Sequence, residues 1–177
     1  MNNFIQILQS HQFTQDDIHL VQSVASIKNI KSYKTLVDYG ERCQCIYFVL
    51  KGGFVMKAIN EEDGNERTIN FNLDSFQPFM TVPQSYFNNV PANCKLQAIK
   101  NSDILMFEKK QLLEIVNQSE CIKDFYYQQI INALLLELDF RMKLITCSPQ
   151  KLYELFISDH QEIIKNIPVL YSKIETR

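Results

Sequence analysis

The chain has 177 residues, with 18 Lys and Arg against 20 Asp and Glu, a formal net charge of −2. That length fits one sizeable domain, or one domain with a helical appendage. The balance of charge excludes a free-standing polyanion binder, which is as a rule basic. The first twelve residues lack a basic stretch and a small-residue cleavage site, so no secretory signal is expected. Of the five cysteines only Cys43 and Cys45 lie close together. They read as reduced, cytoplasmic thiols and not as a disulfide framework.

Helical periodicity opens the chain, over residues 3–9 and 14–28. Thr14 can cap the second helix, and Asp16 and Asp17 suit its dipole. From Tyr33 the pattern shortens into strand-like runs. Residues 33–39 end at Gly40-Glu41, residues 46–51 end at Gly52-Gly53, and residues 54–59 turn at Asp63-Gly64 into 66–73. Asp-Gly between such runs marks a hairpin, and the four glycines all stand at junctions where positive φ is cheap for them. An irregular segment, 74–93, carries Pro78, Pro83 and Pro91. Strands at 94–100 and 104–108 follow, separated by Asn101-Ser102-Asp103. The period then returns to helical, over 109–117 and over a long run, 120–146, that stops before Ser148-Pro149. A last pair, 149–158 and 160–166, is closed by Pro168. Eight to ten short strands with four or five helices predict a mainly β roll or barrel with flanking helices, an α+β chain. The richest apolar run, Ile130 to Ile145, is broken by Asn132, Glu137, Asp139, Arg141 and Lys143, so it predicts a helix in water and not a membrane span.

Leu36-Val37-Asp38-Tyr39-Gly40-Glu41, then Ile46-Tyr47-Phe48-Val49-Leu50-Lys51-Gly52, then Asp63-Gly64-Asn65-Glu66-Arg67-Thr68-Ile69, resemble successive hairpins of the CRP/FNR superfamily of transcription regulators. Ser148 through Pro168-Val169-Leu170-Tyr171 resembles the linker in the style of its Bacteroidetes branch. The resemblance implies a jelly roll (double-stranded β-helix) of the cyclic-nucleotide-binding type, together with its N-terminal helices, over 1–118 and a dimerisation helix over 119–147. It implies a linker over 148–177 into a winged helix-turn-helix domain. That DNA-binding domain is not contained in these residues, so DNA contact is expected only through it. The implied function is effector sensing by a homodimer. A stand-alone module of the same fold, acting through protein partners, is the alternative.

Family members that bind cyclic nucleotides hold the ribose with Gly-Glu and the phosphate with Arg-Ser/Thr-Ala. The corresponding positions here are Gln77-Pro78 and Ala92-Asn93-Cys94. No arginine occurs from Asp74 to Ile99, and Lys95 is the one cation there. Burying a phosphate without a partner costs several kcal/mol, so cyclic AMP and cyclic GMP are not expected to bind.

Phe76, Phe79, Met80, Tyr86, Phe87 and Gln97 form the candidate effector pocket. Such a lining suits a small neutral or apolar effector; equally, these side chains can fill the space themselves. Tyr127, Ile131, Leu134, Leu138, Arg141 and Ile145 follow 4-3 spacing, a coiled-coil seam for a homodimer. A second stripe, Phe125, Ile130, Ala133, Leu136, Phe140 and Leu144, must also be buried. Cys43 and Cys45, two apart, would share one face of a strand, but with no second pair they read as small buried thiols. His11, His19 and His160 all lie outside the roll, so a metal-dependent cupin enzyme is not expected. No cofactor, metal or membrane partner is expected either, and the chain reads as a non-enzyme.

Overall fold

The computed structural model describes residues 2–151 together with 154 and 155. The expected helices over 149–158 and 160–166, with Pro168 and His160, lie wholly or partly outside them. Contacts divide the chain into two compact units that part after Lys123.

The first unit opens with two helices, α1 (Asn2–Ser10) and α2 (Gln15–Val24). Thr14 and Asp17 form a reciprocal capping box at the start of α2, which fixes where that helix begins. The strands are β1 (Ala25–Ile30), β2 (Thr35–Val37), β3 (Cys45–Lys51), β4 (Gly53–Ile59), β5 (Glu66–Leu73), β6 (Phe79–Met80), β7 (Cys94–Ala98) and β8 (Ser102–Glu108). A short helix, α3 (Pro83–Asn88), lies between β6 and β7, and α4 (Lys109–Val116) and α5 (Glu120–Thr146) follow β8. Two antiparallel four-stranded sheets result, ordered β1-β8-β3-β6 and β2-β7-β4-β5. Their facing side chains form one core that includes Val37, Tyr47, Val49, Phe54, Met56, Met80, Leu96 and Ile104.

Three expectations need correction. Residues 25–28 are strand and not helix. Ala25 already has extended dihedrals, and β1 pairs continuously with β8 from Ala25↔Phe107 to Ile30↔Ser102. Tertiary pairing here overrides a local pattern that suited either state. The run 33–39 is paired only over Thr35–Val37. The segment 74–93 is not irregular throughout. It holds β6, which pairs with β3, and α3, which has Pro83 in its first turn and Asn89 in the left-handed region at its end, both ordinary helix boundary signals.

The turn between β3 and β4 is the tightest point of the roll. Gly52 has φ +102°, and a Cβ there would lie 2.2 Å from Ser102 Oγ, the atom that accepts a hydrogen bond from Gly53 N at 3.0 Å. Gly64, at φ +71°, would meet nothing within 4 Å. Gly52→Ala should therefore cost the left-handed strain plus overpacking, about 3 kcal/mol or more. Gly64→Ala should cost about 1–2 kcal/mol from strain alone. Urea unfolding of the two variants checks this; equal midpoints would contradict it.

Candidate effector site and pairing helix

Strand pairing determines which side chains share the inside of the roll. Three rows cross the second sheet on its inner face: Asn72–Phe54–Ala98, Asn70–Met56–Leu96 and Arg67–Ala58–Cys94. A β-bulge at Ile69 keeps the rows in step. One edge of this face is therefore polar and the rest apolar. The Asn72 amide nitrogen donates to the carbonyls of Gln77 (2.8 Å) and Phe79 (3.2 Å). Its oxygen is buried with no partner. Asn70 Nδ2 donates to Gln77 Oε1 at 3.2 Å. The spacing Asn70, Asn72 with Phe71 between them is a period-two signal that sequence reading passed over.

Arg67 is a further cation, outside the stretch from Asp74 to Ile99. It stands in the inner row, yet its guanidinium bonds Asp63 at 2.6 Å and is half exposed. The positions that correspond to a phosphate-binding run are occupied otherwise. Ala92 and Cys94 are buried in the core. Ala92 N donates to Glu41 O, and Gly40 N to Ala92 O. At Gln77-Pro78 the backbone closes the first sheet, with Val49 N donating to Pro78 O at 2.8 Å.

The six residues of the candidate pocket do not converge on one cavity. Met80 lies in the core. Phe79, next to it on a strand, faces the other way, against Phe48 (4.8 Å between ring centroids) and Phe4 (6.4 Å). Gln97 lies on the outer face of the second sheet, accepting from Lys57 Nζ at 2.9 Å and donating to Tyr33 O at 3.0 Å. Tyr86 is fully buried under the Lys109 ammonium, 5.0 Å from its ring, and contacts the exposed Phe87 edge-on. Phe76 bridges to Leu73 through backbone hydrogen bonds. Two shallow surface hollows occur among the described residues, one at Asn29–Lys31 and Asn101–Asp103, the other at Asp16, His19, Leu20 and Ser23.

The outer face of the second sheet carries an ion-pair network. Glu66 bonds Lys95 and lies 3.3 Å from Lys57, and Lys95 lies 3.8 Å from Asp38. Lys95 first, then Lys57, holds the Glu66 carboxyl below its usual range, and Glu66 raises Lys95 in return. Both lysines are thus paired with carboxylates.

Cys43, Cys45 and Cys94 are free thiols. Cys43 Sγ lies 3.4 Å from both Cys45 O and Thr81 Oγ1, and burial pushes the nearby Tyr47 phenol up. Burial pushes the Cys45 and Cys94 thiols up, which keeps them protonated and poorly nucleophilic. Among the described residues no three of His, Cys, Asp and Glu are arranged to hold a metal ion. His11 and His19 are exposed.

In the second unit, α5 shows apolar side chains on two opposite sides. Tyr127, Ile131, Leu134, Leu138 and Ile145 of the seam are 45–79% exposed, and so are Leu136, Phe140 and Leu144 of the other stripe, at 45–52%. Asp139 pairs with Lys143 at 2.8 Å. Arg141 has no ion pair among the described residues. No helix there is long and apolar enough to cross a membrane.

Two antiparallel sheets with helices before and after, a short helix after β6 and a long helix at the end decide the architecture. The fold is the cyclic-nucleotide-binding β-roll. Comparison of the sequence with known protein families and with curated proteins finds no match. Among solved structures, FixK2 from Bradyrhizobium japonicum is 12% identical, covering 79% of this chain and 67% of its own, with a TM-score of 0.65. The Thermus thermophilus catabolite activator protein is 16% identical, covering 77% and 62%, with a TM-score of 0.61. The sensor domain of the transcriptional regulator DNR from Pseudomonas aeruginosa is 16% identical, covering 76% and 90%, with a TM-score of 0.59. The match thus spans under two thirds of the Thermus protein and nearly all of an isolated sensor domain.

A cyclic nucleotide entering this roll would find Ala92 and Cys94 where a phosphate needs donors, and Arg67 held by Asp63. Calorimetry with cyclic AMP and cyclic GMP is expected to show no saturable binding below about 10 μM, roughly −7 kcal/mol. Tighter binding that is lost in Arg67→Ala would refute this and make Arg67 the phosphate ligand.

Proposed function

We propose that the chain is the effector-sensing part of a homodimeric transcription regulator of the CRP/FNR type, in its Bacteroidetes-like branch, working in the cytoplasm. The roll, 1–118, is the sensor. Residues 119–147 are the pairing helix, and 148–177 lead toward a DNA-binding domain. The observation that carries this reading is the combination of a cyclic-nucleotide-binding roll with a 27-residue helix whose apolar seam stands exposed. Soluble monomers rarely leave a stripe of several turns uncovered. A two-fold dimer covers it with its own copy.

The effector in this reading is a small neutral or apolar molecule. Support comes from the inner face of the second sheet, apolar apart from the edge formed by Arg67, Asn70 and Asn72, where the Arg67 guanidinium is paired with Asp63. Because the core residues facing this edge are closely buried, the effector acts by selecting a minor, opened state of the roll, a population shift and not occupation of a ready cavity. Binding and not catalysis is the reading for the same site, since burial pushes the Cys45 and Cys94 thiols up and no histidine lies among residues 25–108, which carry the strands.

Leu134 and Leu138 lie at the centre of the seam. Each buried leucine contributes roughly 1.5–3 kcal/mol per subunit. The double change Leu134→Asp with Leu138→Asp should convert a dimer into a monomer in light scattering at about 10–50 μM, far above the dissociation constant of a stable dimer. A monomeric parent would overturn the reading. A variant that stays dimeric would move the interface off this seam.

A further inference from the structure

The N-terminal helices do more than cover a sheet, because one carboxylate serves the starts of two helices. Asp17 is buried. Its Oδ2 accepts from Thr14 Oγ1 at 2.6 Å and from Thr14 N at 3.0 Å, while Asp17 N donates to Thr14 Oγ1 at 3.2 Å. Its Oδ1 accepts from Ser119 Oγ, also at 2.6 Å. Ser119 precedes the first residue of α5. Its Oγ in turn accepts from Ile122 N at 3.3 Å, and its carbonyl from Lys123 N at 3.0 Å. Ser119 is thus the N-cap of α5, and Asp17 fixes the rotor of that cap. The Ser119 hydroxyl, then the Thr14 hydroxyl, holds the Asp17 carboxyl below its usual range. This is the expected response of an anion that receives donors from two helix starts. Ile122 is buried, and Cys121 Sγ reaches His11 O at 3.6 Å, so the first turn of α5 meets the α1–α2 hairpin at more than one point.

We propose that Asp17 is a positioning residue for α5: through the Ser119 hydroxyl it holds the first turn of the long helix to the α1–α2 hairpin. The inference takes from the proposed function only that α5 is the pairing helix, which makes its first turn a place where the N-terminal hairpin controls pairing. Thr14 and Ser119 supply the donors, so the grip needs both carboxylate oxygens at position 17 and a hydroxyl at position 119.

Hydrogen exchange on the full chain, read at the Ile122 amide and at amides of β3 and β8, tests it. Asp17→Ala and Ser119→Ala should each speed exchange at Ile122 by about five- to tenfold, the usual worth of an N-cap, and leave the strand amides unchanged. The double variant should be no faster than the faster single one, because both act through one relay. Ser119→Thr, which keeps a hydroxyl, should retain most of the protection, whereas Asp17→Asn, which has one acceptor oxygen where both carboxylate oxygens are used, should fall between the parent and Asp17→Ala. Unchanged exchange at Ile122 in Asp17→Ala overturns the proposal. So does equal acceleration of the strand amides, which would make Asp17 a general stabiliser, and so do additive effects in the double variant. If Asp17→Ala fails to fold, the contrast of Ser119→Ala with Ser119→Thr decides the point. A chain that proves monomeric by light scattering would refute the pairing role of α5 and leave these exchange rates unaffected.

Discussion

Phe48 is the residue on which the roll turns. It lies in the middle of β3 between Tyr47 and Val49, and all three are buried. Tyr47 and Val49 face the opposite sheet, so Phe48 must face away from it, on the side an antiparallel sheet commonly leaves to water. Water is excluded there because Phe4 of α1 packs in a tilted arrangement on Phe48 at 4.8 Å and on Phe107 at 5.8 Å between ring centroids. A central strand buried on both faces needs a cover, and α1 provides it. The helix is therefore part of the fold and not an appendage. Phe79, from the short strand β6, closes the same aromatic group, which ties the segment after β5 to the sheet.

That tie uses the backbone of the segment after β5. The same segment would have to form the ribose and phosphate contacts. Here its backbone is occupied in holding β6 against β3, with Val49, Asn72 and Leu73 as partners. Gln77 adopts a positive φ of 48° to do so, a conformation that costs a non-glycine residue energy. The thiols Cys43 and Cys94 and the thioethers of Met56 and Met80 fill the inner end. Such side chains adapt to irregular gaps, which suits a core that replaces a ligand by packing.

The strands were legible where turn chemistry punctuates them. Gly40-Glu41, Gly52-Gly53 and Asp63-Gly64 each fall at a real junction, and the long helix was readable end to end. Residues 25–28 were not, because Ser26-Ile27-Lys28 fits helix and strand alike and only pairing with β8 decides. The candidate pocket failed on a point that sequence does contain. Phe79 and Met80 are neighbours, and neighbours on a strand point to opposite faces. Grouping them by aromatic character ignored that alternation. Arg67 was invisible for a different reason: the bulge at Ile69 sets its face, and a bulge is a property of two strands together.

The long helix shows why an apolar composition needs its geometry before it means anything. Tyr127, Ile131, Leu134, Leu138 and Ile145 run along one side, and Leu136, Phe140 and Leu144 along the other, so the two stripes cancel in any single-face measure of amphipathicity. One partner helix can cover one stripe only. Either stripe left in water is an association surface, so a stable assembly has to meet both. Arg141 bears on which stripe meets the identical helix. Asp139 is taken by Lys143, and Arg141 stands in the seam without an ion pair among the described residues. On a two-fold axis it would face its own copy. Two such charges tolerate each other only where water reaches them. Position 141 lies near the C-terminal end of the helix, one turn before Ile145, where side chains of this length can reach solvent. In a two-fold pairing along this seam the tightly packed part would be Ile131 to Leu138, and the region around Arg141 would be where the two helices separate most easily.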